Sequence, residues 1–202
     1  AAAATDYIMK TRGVKQFMVY GISSGALRAA MFAERHPERV SRLALDAFVW
    51  TGEGSPTLEE RRKKLPQFIN VNRRPLDRAF MLSVFTRDHP GCAEDKVIEI
   101  FTDRVLELDD SVPTGTYVDM CSKLPVVDPK KIKAATIVMR GEFDGIAGFD
   151  DLIKFFTLLP NPDKTFSVMA GISHASFQQI NYMQVYHILL SFFSQPAPLY
   201  RG

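Results

Sequence analysis

Cysteine is scarce in this sequence: Cys92 and Cys121 are the only two among 202 residues, and no Cys-x-x-Cys pair occurs. That excludes a disulfide scaffold and leaves no basis for a zinc ribbon or a dithiol redox motif. Two free thiols in a reducing compartment, and so a cytoplasmic protein, are expected. Net charge is equally scarce, since 25 basic and 23 acidic side chains leave +2. So small a balance offers nothing to nucleic acid or to an anionic membrane surface. No run of eighteen apolar residues exists, which excludes a membrane-spanning helix in this sequence. No Gly-x-Gly-x-x-Gly or Walker sequence occurs, so no nucleotide cofactor is implied. His89 and Cys92 lie close together, but two candidate ligands do not make a metal site. Neither a metal nor an organic cofactor is expected. Ala1 to Ala4 lack the charge and length of a signal peptide and are set aside from the fold reasoning.

What is present is ordinary for one soluble domain with a real core: 46% apolar and 24% charged residues. The apolar residues fall in two patterns. Phe17 to Gly21 is a short apolar run that predicts a buried strand, preceded by a helix tail stopped at Gly13. Ser24 to Glu34 is rich in helix formers, with Pro37 marking its end, and Val40 to Trp50 predicts a second strand. Strand, helix, strand in this order is a βαβ unit with parallel strands. From Thr51 to Pro129 the spacing becomes helical, with no convincing strand. Thr57 and Glu60 suggest a capping box before Arg61 to Ile69, and Pro75 can open a second helix. Two further helices are expected around Val97 to Leu108 and Tyr117 to Leu124. The α/β pattern resumes with strands at Ala135 to Arg140 and Lys164 to Ala170, and a helix between them at Phe149 to Leu159. A long last helix is expected over Ser176 to Phe193, with Ser176 and Gln179 as its capping box.

Gly21-Ile22-Ser23-Ser24-Gly25 lies between a predicted strand and a predicted helix. A sharp strand-to-helix turn of this kind lifts a serine hydroxyl out of the sheet, and glycines on either side keep the turn free of collisions. The helix start offers unbonded amides, and the Ser24 N–H is the candidate oxyanion donor. A serine needs a base. Of the four histidines, His174 alone follows a predicted strand directly, which puts it at the carboxyl edge where parallel sheets build their sites. His36, His89 and His187 sit at a helix end, in the helical stretch and inside the last helix. The base needs an orienting carboxylate. Asp144, in the turn after the third strand, is the choice, with Glu142 beside it and Asp46 at the end of the second strand as rivals.

The order Ser23, Asp144, His174 is that of the α/β hydrolases. From Phe17 to the last helix the sequence resembles that family, particularly its single-domain esterases and carbon–carbon bond hydrolases. Met18 to Gly25 resembles the nucleophile elbow, Arg35 to Val40 the link to the next strand, Ile137 to Asp144 the acid turn and Gly171 to His174 the histidine loop. The resemblance implies an α/β fold: a parallel sheet with flanking helices and a helical cap. Core segments at 1–50 and 130–202 would then enclose a cap at 51–129. It implies a serine hydrolase cleaving a carboxylic ester of a small to medium apolar acid through an acyl-enzyme. Carbon–carbon bond hydrolysis and a non-catalytic binding protein are the alternatives. A serine nucleophile departs from the aspartate of family dehalogenases and epoxide hydrolases and argues against both activities. The strands that usually precede the elbow are not in this sequence, nor is a His-Gly sequence for the second oxyanion donor. A companion fragment or subunit supplying those strands is therefore an expectation.

Three aromatic residues are candidates for substrate contact: Trp50 where the cap begins, and Phe80 and Phe85 within it, although core packing explains the latter equally well. Glu59 to Lys64 reads as a solvated helix face, and Arg73-Arg74 as an exposed turn.

Overall fold

The computed structural model describes residues 1–196. Helix α1 (Ala2–Arg12) stops at Gly13, whose φ of 67° is the left-handed conformation that ends helices. The opening alanines, set aside above, form its first turn. Strand β1 (Phe17–Ile22), helix α2 (Ser24–Arg35) and strand β2 (Val40–Asp46) follow, with β1 and β2 parallel. The second strand is shorter than expected. Ala47 has a φ of 49°, outside the strand region, so the chain turns there. Ala47, Phe48 and Val49 are buried all the same. Their apolar run signals burial rather than extended backbone.

The stretch after β2 differs from expectation in its details. Helix α3 (Pro56–Lys63) is capped by Ser55, whose hydroxyl accepts from the Leu58 amide at 3.2 Å. Thr57 is not the cap because Pro56, with its fixed φ, already occupies the first helical position. A separate helix α4 (Leu65–Ile69) begins after Lys64, where Pro66 cannot donate to the preceding turn. Strand β3 (Arg73–Pro75) comes next, so Pro75 ends a strand instead of opening a helix. Helix α5 (Arg78–Thr86) is capped by Asp77, which accepts from the Phe80 amide at 2.7 Å. Helix α6 (Asp95–Leu108), strand β4 (Ser111–Pro113) and helix α7 (Gly115–Ser122) complete the stretch. Strands β3 and β4 pair antiparallel, with Arg74 opposite Val112. The expectation of no strand here is thus corrected: three residues per strand, one of them proline, are too few to show an alternating pattern.

The core then resumes with strand β5 (Ala135–Gly141), helix α8 (Phe149–Leu158) and strand β6 (Lys164–Met169). The expected long last helix is two pieces. A single 3-10 turn covers Ser176–Gln178, and helix α9 (Met183–Ser194) starts later. The capping box does not form, because both of its side chains are committed elsewhere. The Ser176 hydroxyl donates to Asp46 Oδ1 at 3.1 Å, and Gln179 Oε1 accepts from the Ser173 hydroxyl at 3.3 Å.

The main sheet has the order β1-β2-β5-β6 with every neighbouring pair parallel. Its side chains alternate between two cores, as period-two strands require. Leu43, Leu45 and Val138 join α2 and α8 on one face, where Phe48 and Phe155 meet edge to face. Ala44, Ile137 and Met139 join α9 through Val185 and Phe192 on the other. Fully burying each such large side chain contributes about 1.5–3 kcal/mol. Because all four strands run the same way, Ile22, Asp46, Gly141 and Met169 end at one edge of the sheet. No helix among the described residues is long and apolar enough to cross a membrane.

Candidate active site

Ser23 stands between β1 and α2 with φ 54° and ψ −123°, a conformation that residues bearing a side chain rarely adopt. Its amide donates to the Asp46 carbonyl at 2.9 Å, which ties the turn to the end of β2. Gly21 allows the turn: a Cβ there would lie 2.5 Å from the Gly25 carbonyl oxygen and 2.8 Å from Ala26 Cα. Gly25 does not need to be glycine for the same reason, since nothing lies within 4 Å of where its Cβ would be. The expectation that both glycines clear the turn holds for the first alone. Ser24 opens α2, so its amide is among the first-turn donors without an acceptor inside the helix.

His174 follows β6 and is 7% exposed. Its Nε2 lies 2.9 Å from Ser23 Oγ, and its Nδ1 lies 3.1 and 3.2 Å from the two Asp144 carboxylate oxygens. A carboxylate only accepts, so Nδ1 carries the proton and Nε2 is left to accept from the serine hydroxyl. Residues far apart in the chain thus form one chain of hydrogen bonds at the carboxyl edge. The rivals of Asp144 are placed elsewhere. Glu142 is exposed and accepts from the Gly171 amide at 2.9 Å. Asp46 is fully buried and accepts from Tyr20 Oη at 2.9 Å and from Ser176.

The acid turn is held from within. Asp144 Oδ1 accepts the amides of Ile146 and Ala147 at 2.9 and 3.2 Å. Burial alone would push its carboxyl up; the His174 charge and hydrogen bond, with those two amides, overcome burial and hold it below the usual carboxylate range. Arg140 grips the same turn from the end of β5. Its guanidinium donates to the carbonyls of Ala147 at 2.9 Å and Asp144 at 3.0 Å, and burial lowers its pKa while Asp144 acts the other way. Asp46 differs from Asp144: burial pushes its carboxyl up to about 6, against the lowering effect of the Tyr20 and Ser176 hydroxyls. Tyr20, beside it, is raised by burial and by the Asp46 charge.

Gly141, the last residue of β5, touches the histidine loop. A Cβ there would lie 2.4 Å from the Ile172 carbonyl and 2.5 Å from that of Ser173. The backbone of β5 and the histidine loop thus approach each other closely next to His174. Sequence reasoning missed Arg140, Tyr20, Ser176 and this contact. Only Arg140 left a signal, a cation at the end of an otherwise apolar strand.

The three aromatic candidates separate. Trp50 packs edge to face on Phe155, and its indole N–H donates to the Val127 carbonyl at 3.0 Å. It lies where the chain enters and leaves the stretch 51–129, and these contacts brace that junction. Phe85 is 1% exposed and packs on Phe101 at 5.5 Å, so it is core. Phe80 lines a cavity of about 550 Å3 whose walls also include Phe68 and Tyr117 but neither Ser23 nor His174. Among the described residues no group of three or more His, Cys, Asp or Glu side chains is placed to hold a metal ion.

Residues 1–94 match the family model for the α/β-hydrolase fold. Among solved structures, an α/β-hydrolase enzyme from a Medee basin deep-sea metagenome library is 18% identical with a TM-score of 0.62, over 99% of this chain and 73% of that one. The chain has the α/β-hydrolase fold. A soluble variant of monoglyceride lipase from Saccharomyces cerevisiae shares this α/β-hydrolase architecture at 16% identity and TM-score 0.67, over 96% of this chain and 66% of that one. A thermophilic esterase from Thermogutta terrifontis does so at 17% identity and TM-score 0.65, over 94% and 69%. The chain thus spans about two thirds to three quarters of these α/β hydrolases. No curated protein gives a significant sequence match.

Proposed function

We propose that this α/β-hydrolase-fold chain is a serine hydrolase acting on carboxylic esters through an acyl-enzyme. The family match and the esterase and lipase neighbours support hydrolase chemistry in general. The observation that carries the finer reading is the chain of contacts from Ser23 Oγ to His174 Nε2 and from His174 Nδ1 to Asp144. In this reading Ser23 attacks the ester carbonyl while His174 takes its proton. Asp144 holds the imidazole in the tautomer that leaves Nε2 free and stabilises the imidazolium. The oxyanion that develops is met by the Ser24 amide at the positive end of α2. His174 then gives the proton to the leaving alcohol. Water, deprotonated by the same nitrogen, attacks the acyl-enzyme and releases the acid. General-base assistance of this kind is worth about 10²–10⁴-fold in rate.

The strained Ser23 backbone supports the assignment, since a left-handed φ on a serine between strand and helix is how a nucleophile is held clear of the sheet. Residues 51–129 act as a cap in this proposal. They approach the acid turn directly: the Thr57 amide donates to the Gly145 carbonyl at 3.3 Å, and the His89 ring stacks on Phe143 at 3.9 Å. The substrate class is an ester of a small to medium apolar acid. The two cysteines are unpaired and buried, which supports a reducing, cytoplasmic setting. The test is labelling with a fluorophosphonate probe. The parent chain should label and Ser23→Ala should not. Equal labelling of the two would remove Ser23 from the role of nucleophile.

A further inference from the structure

The cavity lined by Phe80 is ringed by cations that the proposed ester chemistry does not use. Arg61, Lys64, Arg74 and Arg87 face it together with two carboxylates, Glu60 and Asp88, so the lining carries an excess of positive charge. Glu60 is exposed and already bonded to Lys63. Arg61 stands 4.6 Å over the Tyr117 ring, and Arg74 stands 4.3 Å over both Tyr117 and Phe80. Aromatic faces stabilise a guanidinium through its plane and leave its N–H edge free for an acceptor. In this cavity several of those N–H groups are unmet. Arg74 Nε and Arg87 Nε and Nη2 are buried without a hydrogen-bond partner among the described residues. Asp88 Oδ1 lies 3.5 Å from Arg87 Nε, close enough to offset charge but not aligned to accept, and it is occupied by the Thr57 hydroxyl at 3.1 Å. Asp88 Oδ2 is also unpartnered.

Leaving several buried guanidinium donors unmade is costly, and clustered like charges add to the cost. The pKa of Arg61 is lowered, first by burial and further by the neighbouring Arg87 and Arg74 charges. An anion entering the cavity would remove both penalties at once. The volume suits a small organic molecule, and Phe68, Phe80 and Tyr117 give it apolar, aromatic walls. We infer that this cavity is a binding site for an oxyanion group, carboxylate or phosphate, on a small molecule with an aromatic or apolar body, held by Arg74 and Arg87. The lining reaches Gly145 of the acid turn but includes none of Ser23, Asp144 and His174, and the inference does not depend on the ester reading.

The probes are phenylacetate for the carboxylate, phenylphosphonate for the phosphate, and phenylacetamide as a neutral match, each titrated calorimetrically into the full chain. At least one anion is expected to bind, with the amide much weaker. Arg74→Gln and Arg87→Gln should each weaken that anion by about tenfold or more. Arg74→Lys, which keeps the charge and the fold but not the fork, should fall between parent and Arg74→Gln. Ser23→Ala should bind as the parent does. Binding of phenylacetate alone assigns a carboxylate ligand, and of phenylphosphonate alone a phosphate ligand. Equal binding of the amide, no loss in folded Arg variants, loss in Ser23→Ala, or no binding of either anion at millimolar concentration would overturn the inference.

Discussion

The sheet edge and the insert cavity solve opposite problems with polar side chains. At the edge, Ser23, His174 and Asp144 each find their partner within the chain. In the cavity, Arg74 and Arg87 hold buried nitrogens with no partner among the described residues. The first arrangement is complete within the chain, so in the proposed reaction little reorganisation would be left. The second is stable only because aromatic faces and Asp88 offset part of the charge.

The comparison can be broken at three points, taken from large effect to small. Asp144→Asn keeps the shape of the acid turn but replaces one acceptor oxygen by an NH2 donor; with Oδ1 kept by the Ile146 and Ala147 amides, a donor then faces His174 Nδ1 and disfavours the tautomer that protonates it. Ester turnover should fall by about 10⁴-fold, with little change in fluorescence-monitored unfolding. A variant retaining more than a tenth of the parent rate would show that the edge does not work as one unit. Gly141→Ala tests whether the histidine loop is positioned by backbone contact. The added methyl must displace Ile172 and Ser173, so turnover should drop by about 100-fold and stability by about 1–3 kcal/mol. A wild-type rate would place the control of His174 elsewhere.

Asp46→Asn gives the smallest effect and sharpens the comparison from below. Asp46 belongs to the edge, yet its carboxyl is pushed up to about 6 by burial from an ordinary 3.8. Between those two values the folded chain keeps a proton that the unfolded chain has already released. Stability therefore falls as pH rises through this window, and the full cost is present above about pH 6. The neutral variant should lose that fall. Denaturant melts should show parent and variant shifting relative to each other by about 1–3 kcal/mol between pH 4 and pH 7, in favour of Asp46→Asn at the higher pH. Parallel pH profiles for the two would mean that Asp46 is ionised at no such cost.

The edge was legible in the sequence and the cavity was not, for physical reasons. Ser23, Asp144 and His174 each lie within a few residues of the end of a strand, and parallel strands bring all such positions to one edge. Local pattern and topology were therefore enough to place them together. Trp50 stays open in the sequence because an aromatic at the end of a strand looks the same whether it faces a ligand or braces the core. The helix starts in the insert were misplaced because Thr57 and Pro75 imitate caps that Ser55 and Asp77 supply. Arg73-Arg74 read as an exposed turn. The ribbon of β3 and β4 instead leaves Arg73 outside and turns Arg74 onto two rings. Arg61 lies in α3 and Arg87 just past the end of α5, and no local signal announces that the three converge.

Trp50 carries a further consequence. Its ring N–H reaches across to Val127, while the amides of Trp50, Thr51 and Gly52 all close on the buried Asp151 of α8. The point where the chain departs from the sheet and the point where it returns are therefore pinned to each other and to the helix beneath them. This neck is one tie of the insert to the core, beside the Thr57 amide on Gly145 and the His89 ring on Phe143. The hydrogen bonds that make this pin all lie outside residues 53–126, so a change of length within that stretch leaves the pin itself in place.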